Sequence, residues 1–298
     1  MESVLTINNL TKRYGKVHAL QGLSLDVPQG CVFGLLGPNG SGKTTTLGIC
    51  LGIINSTSGD FKWFGKNPDY TVRKEIGAIL EKPNFYPYLS ALENLKIVAD
   101  IKQMKTPNFE EILGFVGLKE RQNHKFSTFS LGMKQRLAIG AAMLGNPKVL
   151  ILDEPTNGLD PSGIVEIREM ILRIADKGIT VILASHLLDE VEKVCSHVAI
   201  LKKGETLFKG TVAELTSKEG VRLEIGGDNL NDIKEKVIQL GFSDAVINGN
   251  RVSFLLNDDS MASEINKALV YAEINISHIS RVKSNLEKEV LKMLSANA

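Results

Sequence analysis

The sequence predicts an α/β fold with a parallel β-sheet, followed by a small α+β domain. Short apolar runs at residues 149–152 and 180–184 alternate with helix-length segments, and strands buried on both faces of a parallel sheet have this apolar character. A third apolar run, at residues 31–36, leads into a glycine-rich loop at 37–44 and then into a helix at 45–51. Strand, glycine-rich loop and helix in this order are typical of a fold that binds phosphate groups.

The glycine-rich loop fits the pattern G-x-x-x-x-G-K-[ST]. Glycines let the backbone curl so that successive N–H groups point at a phosphate, and the following helix N-terminus adds a favourable dipole. Lys43 can reach the β and γ oxygens, and the Thr44 hydroxyl can ligate Mg²⁺. The sequence therefore predicts a nucleoside triphosphate site built from Gly37, Pro38, Asn39, Gly40, Ser41, Gly42, Lys43, Thr44 and Thr45.

The other elements of the N-terminal part follow from the same patterns. Ser90 and Glu93 form a capping box that opens a helix reaching about residue 102. Pro83 and Pro87 exclude regular structure just before that helix. We predict strands at residues 4–7, 19–20, 23–27, 59–64 and 76–80, and further helices at 109–116, 130–144 and 163–176.

A pair of carboxylates stands at the end of the apolar run at 149–152. Asp153 and Glu154 emerge at the C-terminal edge of a buried parallel strand, the usual place for a ligand. Alone, they would be a solvated strand end. Beside a phosphate loop, Asp153 is expected to hold Mg²⁺, and Glu154 is expected to polarise the attacking water as a general base, an effect of roughly 10²–10⁴ in rate. The sequence thus predicts hydrolysis as well as binding.

Composition excludes several classes of protein. At 298 residues the chain has room for two domains of the usual ~100–200 residues. Lys plus Arg (35) and Asp plus Glu (34) nearly cancel, so we expect no nucleic-acid partner. No secretion signal is evident, and no stretch nears the ~18 apolar residues of a membrane helix, which predicts a cytoplasmic protein. Cys31, Cys50 and Cys195 lack metal-ligand spacing and are expected to be buried free thiols.

Several motifs in series resemble the ATP-binding-cassette (ABC) ATPases. After the phosphate loop come Ser130-Leu-Gly-Met-Lys-Gln-Arg136, Leu152-Asp-Glu-Pro155, Gly158-Leu-Asp160 and Ser185-His186, and the match covers about residues 3–215. The resemblance implies a P-loop NTPase fold of ABC type over residues 1–216, with a helical subdomain near 90–145. It also implies a head-to-tail homodimer or heterodimer that clamps two ATP molecules. Each site would pair one subunit's phosphate loop with its partner's signature motif.

The resemblance assigns roles to individual residues. Tyr14 matches the aromatic residue that stacks on adenine, although a half-exposed surface tyrosine is an equally good interpretation from sequence alone. Ser130 and Gly132 match the signature residues that face the γ-phosphate across the dimer, and Ser130 is also expected to cap a helix. Asp160 matches the residue that links the two sites. His186 matches the histidine that contacts the γ-phosphate and orients Glu154.

The chain departs from the usual family pattern in its signature and after residue 80. Leu131 and Met133 stand where the signature usually has glycine and glutamine. Glu81 replaces a common glutamine and still offers an oxygen ligand to Mg²⁺. The aromatic residues Phe85, Tyr86 and Tyr88 follow, which suit either a groove for a permease helix or plain packing. These variants resemble the drug and peptide-antibiotic exporter branch, of bacitracin and lantibiotic type.

Residues 217–298 are predicted to form a separate accessory domain. Strands at 221–225, 245–247, 251–256 and 274–279 alternate with helices at 231–240 and 260–272, and a last helix covers 285–294. The order βαββαβ predicts a small ferredoxin-like sandwich. Its role is open between dimer support, regulation and structural filler.

Taken with the resemblance, the sequence predicts an ATP-hydrolysing subunit of a membrane transporter. It would lie at the inner face of the cell membrane, bound to a separate integral-membrane permease, and export is the expected direction. One alternative is a soluble ATPase of the same superfamily that acts on ribosomes or DNA. Another is a membrane-complex motor that drives surface assembly or motility.

Overall fold

The computed structural model describes residues 2–81, 83–217, 221–256, 261–283 and 285–296. They form two compact units, Met1–Thr211 and Val212–Ala298. None of the helices within these ranges is long and apolar enough to cross a bilayer.

The first unit contains nine strands and seven α-helices among its described residues. The strands are β1 (Ser3–Tyr14), β2 (Val17–Pro28), β3 (Val32–Leu36), β4 (Ser58–Trp63), β5 (Ile76–Ile79), β6 (Val149–Asp153), β7 (Thr180–Ser185), β8 (His197–Lys202) and β9 (Glu205–Thr211). The helices are α1 (Lys43–Cys50), α2 (Tyr70–Arg73), α3 (Ala91–Ile101), α4 (Phe109–Phe115), α5 (Leu131–Met143), α6 (Pro161–Asp176) and α7 (Leu188–Val194).

A six-stranded sheet in the order β5-β6-β7-β3-β8-β9 forms the centre of this unit. Its strands are parallel except for the edge pair β8–β9, which confirms the predicted α/β class. Every residue of β3, β6 and β7 is buried, as expected for strands covered on both faces. A separate antiparallel sheet has the order β2-β1-β4.

The strands β1 and β2 are longer than the predicted fragments. Each spans twelve residues, and the pairing between them shifts register at several points. Asn9 has φ 52 in one of these irregular stretches, between Ile7 and Leu10. Such bulges interrupt the period-2 alternation on which strand prediction depends, so the pattern showed only pieces of each strand.

Helix caps explain where the functional helices begin. The predicted capping box of α3 is present, with the Ser90 backbone N–H donating to Glu93 and the Glu93 N–H donating to Ser90 Oγ. Ser130 caps α5, as predicted, by accepting from the Met133 N–H. Helix α6 begins two residues earlier than predicted because Asp160 is its N-cap and Pro161 its first residue, a position that proline favours.

All three cysteines are buried and free, as the sequence predicted. Burial raises the pKa of Cys31 to about 11 and raises the pKa of Cys50 and Cys195 further still. The indole N–H of the fully buried Trp63 donates to the Cys50 carbonyl at 2.8 Å, which ties the end of α1 to β4. These contacts fix the helix that follows the glycine-rich loop.

The second unit contains the predicted βαββαβ order. Its strands are β10 (Val221–Gly227), β11 (Val246–Asn248), β12 (Arg251–Leu256) and β13 (Ile276–Lys283), and its helices are α8 (Val212–Ser217), α9 (Leu230–Gln239), α10 (Met261–Tyr271) and α11 (Leu286–Ala296). The strands form an antiparallel sheet in the order β11-β12-β10-β13, the arrangement of a ferredoxin-like sandwich. Residues such as Phe254, Ile225 and Leu269 form its own buried core.

Candidate active site

The glycine-rich loop between β3 and α1 has a backbone conformation that favours glycine at three positions. Gly37, Gly40 and Gly42 have φ 151, 78 and 107, outside the usual range of other residues. A Cβ on Gly37 would lie 2.3 Å from the Leu201 carbonyl oxygen, and one on Gly42 would lie 2.7 Å from the Ala19 oxygen. Strands β8 and β2 therefore pack directly against this loop and fix its shape.

Lys43 is the first residue of α1 and is almost fully buried, with 6% of its surface exposed. Its ammonium donates to the Gly37 carbonyl at 2.8 Å and to the Pro38 carbonyl at 3.4 Å. Its Nζ also lies 3.6 Å from Glu154 Oε1. The loop and the end of β6 thus meet at this one positive charge.

Asp153 and Thr44 form the second contact between the loop and β6. The Thr44 hydroxyl donates to Asp153 Oδ2 at 2.8 Å. Asp153 Oδ1 is buried and has no hydrogen-bond partner among the described residues. Burial raises the pKa of Asp153, which the Thr44 hydrogen bond and the Lys43 charge partly offset, while the charges of Glu154 and Glu81 add to the increase.

The Thr44 hydroxyl and the Asp153 carboxylate together fit a small hard cation. Mg²⁺ prefers hydroxyl, carboxylate and phosphate oxygens, and a buried carboxylate oxygen without a partner is a natural ligand. The described ranges contain no set of three His, Cys, Asp or Glu side chains placed to hold a metal by themselves. A cation here would therefore depend on the Thr44 hydroxyl and on oxygens of the substrate as well.

The Glu154 carboxylate lies between the Lys43 ammonium and the His186 ring. Its Oε2 is 2.8 Å from His186 Nδ1, and because a carboxylate oxygen only accepts, that nitrogen carries the hydrogen. The contact exists because β6 and β7 are neighbours, with the Glu154 N–H donating to the Ala184 carbonyl at 2.9 Å. Glu154 itself has φ 50, an uncommon left-handed backbone for a residue with a side chain.

The remaining predicted residues lie at differing distances from this cluster. Glu81 follows β5, next to β6, and is close enough for its charge to raise the pKa of Asp153. Tyr14 ends β1 with 48% of its surface exposed, and Lys12 Nζ lies 4.8 Å from its ring centroid. Within the described ranges, no hydrogen bond or ring contact joins Tyr14 to the glycine-rich loop.

Ser130 and Gly132 stand apart from the cluster around Lys43. They line an open cleft together with the segment from Gly158 to Gly163 at the start of α6. Across the part of the chain that the structure describes, no hydrogen bond or ion pair connects them to the glycine-rich loop. Among the described residues, Ser130 and Gly132 therefore belong to a cleft of their own, lined with the start of α6.

Asn94 is a residue that sequence reasoning missed. It is 1% exposed, and its side chain accepts from the Tyr86 N–H and donates to the carbonyls of Tyr86 and Ser90. Its partners are backbone atoms, so Asn94 holds the loop before α3 whatever side chains that loop carries. A buried asparagine within an amphipathic helix was the available signal.

The three aromatic residues of this loop divide into two kinds. Phe85 packs edge-on against Phe126 at 5.1 Å between ring centroids, so plain packing accounts for it. Tyr86 and Tyr88 are 49% and 65% exposed, with their ring centroids 5.8 Å apart. They form an exposed aromatic pair on a loop that Asn94 holds in place.

Lys102 lines an apolar pocket beside that loop. The pocket lies between β5, α3 and α5 and is walled by residues such as Ile79, Val98 and Ala138. Lys102 Nζ donates to the carbonyls of Ala141, Ala142 and Leu144 at 3.4, 3.3 and 2.6 Å. Burial lowers the pKa of Lys102 to about 8.

We expect the pH dependence of the free energy of unfolding to show the lowered pKa of Lys102. Because the folded protein binds the Lys102 proton less tightly than the unfolded chain, whose lysine titrates near 10.5, its contribution to stability is lowest below about pH 8 and rises towards pH 10.5. Urea unfolding of the wild type and Lys102→Met should show the wild type gaining about 1–2 kcal/mol on the variant between pH 8 and 10. A constant difference across that range would contradict the assignment.

Comparisons with known proteins find relatives over nearly the whole length of the chain. The ABC transporter family matches residues 20–157. The chain is 36% identical over 303 residues to the bacitracin transport ATP-binding protein BcrA of Bacillus licheniformis, covering 99% of this chain and 98% of that protein. It is 39% identical over 206 residues to the lantibiotic transport ATP-binding protein SrtF of Streptococcus pyogenes, covering 69% and 90%. A dimeric ATP-binding cassette solved in a post-hydrolysis state with ADP and Pi matches with TM-score 0.61 and 27% identity, covering 70% and 98%.

Proposed function

The chain belongs to the ABC transporter family as an ATP-hydrolysing, ATP-binding subunit, and we propose that it drives export through a separate integral-membrane permease. The observation that carries this proposal is the similarity to a bacitracin transport protein over nearly the whole length of both chains. The relatives named above are transport proteins, which favours this function over action on ribosomes or DNA. Under the proposal the protein lies at the inner face of the membrane.

The active form in this proposal is a head-to-tail dimer, either a homodimer or a heterodimer with a related subunit. The separation of Ser130 and Gly132 from the Lys43 cluster supports it, because the two halves of the site would meet only across two chains. The dimeric cassette with ADP and Pi offers a precedent for a dimer of such chains. The start of α5 would then present N–H groups to the γ-phosphate held by the partner's loop.

Each residue of the Lys43 cluster has a defined part in hydrolysis under this proposal. The backbone of residues 37–45 binds the phosphates, and Lys43 neutralises their charge. Glu154 takes a proton from the attacking water, and His186, whose Nδ1 hydrogen holds the carboxylate, fixes the direction in which Glu154 points. Tyr14, half-exposed at the end of β1, would stack on adenine.

Mg²⁺ fits the site through Asp153, Thr44 and Glu81. The unpartnered Asp153 Oδ1 supports this assignment, and the charge of Glu81 acts on the same carboxylate. When bound, the ion would neutralise charge on the phosphate oxygens. The protein's own part is to hold the Asp153 carboxylate in a fixed direction through the Thr44 hydrogen bond.

The predicted domains also belong to the proposal. Residues 1–216 would act as the ATP-binding domain, with residues 90–145 as its helical subdomain, and residues 217–298 as an accessory domain. The exposed pair Tyr86 and Tyr88 lies beside the pocket lined by Lys102, at the point where the helical subdomain begins. We place the contact with the permease at this loop and pocket.

Removing the exposed aromatic pair is expected to separate hydrolysis from permease binding. The variant Tyr86→Ala/Tyr88→Ala keeps the backbone bonds of the loop to Asn94, so its ATPase activity should stay within about twofold of the wild type. Affinity capture of the tagged protein from its host's membranes, followed by mass spectrometry, should recover a multi-spanning permease with the wild type. Recovery should fall about tenfold or more with the double variant, as for loss of interface aromatic anchors.

The matched control for this capture is Tyr271→Ala, which removes an 88% exposed tyrosine from α10. It should recover the permease at the wild-type level. Recovery of only soluble or ribosomal partners by the wild type would overturn the transport proposal and leave the ATPase family unchanged. Undiminished capture by the tyrosine double variant would overturn only the placement of the permease contact.

A further inference from the structure

A reciprocal packing contact joins the start of α5 to the turn that follows β6. Leu131 Cδ2 lies 3.3 Å from the point where a Cβ on Gly158 would be, and Leu159 Cδ2 lies 4.0 Å from that point on Gly132. Each leucine therefore covers the glycine of the opposite dipeptide. Gly158 has φ 76 and no side chain of its own to fill this space.

The turn that carries Gly158 and Leu159 is connected to Glu154 by two backbone hydrogen bonds. The Asn157 N–H donates to the Glu154 carbonyl at 3.1 Å, and the Leu159 N–H donates to the Thr156 carbonyl at 3.2 Å. Thr156, between these bonds, is 7% exposed. Two overlapping turns therefore join Glu154 to Leu159, and the exposed residues Asn157 and Gly158 lie within them.

Glu154 needs such support because of its backbone. A residue with a side chain costs about 1–2 kcal/mol in the left-handed region, and such conformations persist only where the surrounding structure holds them. The backbone N–H of Glu154 is held by the Ala184 carbonyl on β7. The backbone carbonyl of Glu154 accepts from the first of the turns that end against Leu131 and Gly132.

We propose that Leu131 is a positioning residue for Glu154, acting through its contact with Gly158. Leu131 holds the turn from Glu154 to Leu159 in place and passes any movement of the start of α5 to the carboxylate that lies against Lys43 and His186. The inference rests on the proposed role of Glu154 as general base. It gives the departure of Leu131 from the glycine usual at this position a physical consequence.

A separate link, between α5 and α6, makes the test possible. Arg136, on α5, lies 3.4 Å from Glu166 on α6 and also donates to the Val116 carbonyl. This link leaves α5 anchored to α6 when the Leu131 side chain is shortened. Leu131 is also 45% exposed, so its truncation removes little buried surface and should leave the protein folded.

The test is the steady-state ATPase activity of Leu131→Ala with a melting curve on the same sample. We expect kcat to fall about tenfold with the KM for ATP within about twofold, below the ~10²-fold that a 1 Å misplacement can cost. Leu131→Met, which restores the reach of the side chain, should recover most of kcat. The control Leu172→Ala, at a 39% exposed leucine on α6, should match the wild type.

Leu159→Ala tests the same contact from its other side. Because both leucines act through one contact, the double variant should be no slower than about twofold below the worse single variant. A wild-type kcat in folded Leu131→Ala, or a loss that Leu131→Met fails to restore, would overturn the proposal. A loss of kcat that a lower melting temperature accounts for would also overturn the proposal. If the wild type hydrolyses no ATP, the proposed function fails instead, and that outcome is read before any variant is compared.

Discussion

Replacing Glu154 with glutamine should lower kcat for ATP hydrolysis by at least about 10²-fold while leaving ATP affinity nearly unchanged. The amide has the size of the carboxylate and keeps an oxygen that can accept from His186 Nδ1. It cannot take a proton from water, so the loss belongs to the chemical step. Steady-state kinetics and equilibrium binding of ATP, measured on the same preparation, separate the two quantities.

The same variant should accumulate as a dimer in the presence of Mg-ATP. If ATP closes the dimer and hydrolysis opens it, a protein that binds without hydrolysing remains closed. Size-exclusion chromatography with light scattering would report the mass. Glu169→Gln, at an exposed carboxylate of α6, is the matched control and should turn over ATP like the wild type. Wild-type turnover by Glu154→Gln, or a monomer at saturating Mg-ATP, would contradict the assignment.

The part of the site that could be predicted from sequence is the part made by neighbouring residues. The glycine-rich loop is a local structure, whose strained positions Gly37 and Gly42 admit no side chain, so its spacing alone identifies it. Asp153 and Glu154 were predictable because they end a run of buried apolar residues. The family was predicted from motif order, and its drug and peptide-antibiotic branch from the departures in the signature and at Glu81 with the aromatic residues that follow; the relatives confirm both.

Periodicity and composition could not predict the contacts between distant residues, since these depend on strand order, and the pairing of His186 with Glu154 was expected only from the resemblance to the ABC ATPases. His186 reaches Glu154 because β7 lies beside β6, and Glu81 acts on Asp153 because β5 lies on the other side. Lys102 donates to the Leu144 carbonyl across 42 residues of sequence. Neither periodicity nor composition carries information on such pairs.

Residues 188–211 show a different kind of omission. The structure places α7, β8 and β9 there, although the sequence patterns were assigned no element in this stretch. Strand β8 includes four consecutive buried residues, the same apolar signal as in β6, so it could have been recognised. Helix α7 is short and has no side-chain cap, which explains why no boundary signal marked it.

Replacing Lys43 with methionine should abolish tight ATP binding, which distinguishes it from the Glu154 variant. Charge-assisted hydrogen bonds to phosphate contribute about 1.5–3 kcal/mol each, so losing this ammonium should raise the Kd for ATP about 10²-fold or more. Methionine has a similar length and no charge, so it fills the 6% exposed site without leaving a buried cavity or an unpaired cation. Isothermal titration with ATP measures the effect.

The control for that titration is Lys102→Met, which removes a half-buried lysine outside the glycine-rich loop and should leave the Kd for ATP unchanged. A double variant with Glu154→Gln provides the decisive comparison. Since the Lys43 ammonium is needed to hold the nucleotide that closes the dimer, the double variant should stay monomeric at ATP concentrations that dimerise Glu154→Gln alone. Dimerisation of the double variant, or a Kd for Lys43→Met within about threefold of the wild type, would show that Lys43 serves the loop's own carbonyls and not the phosphates.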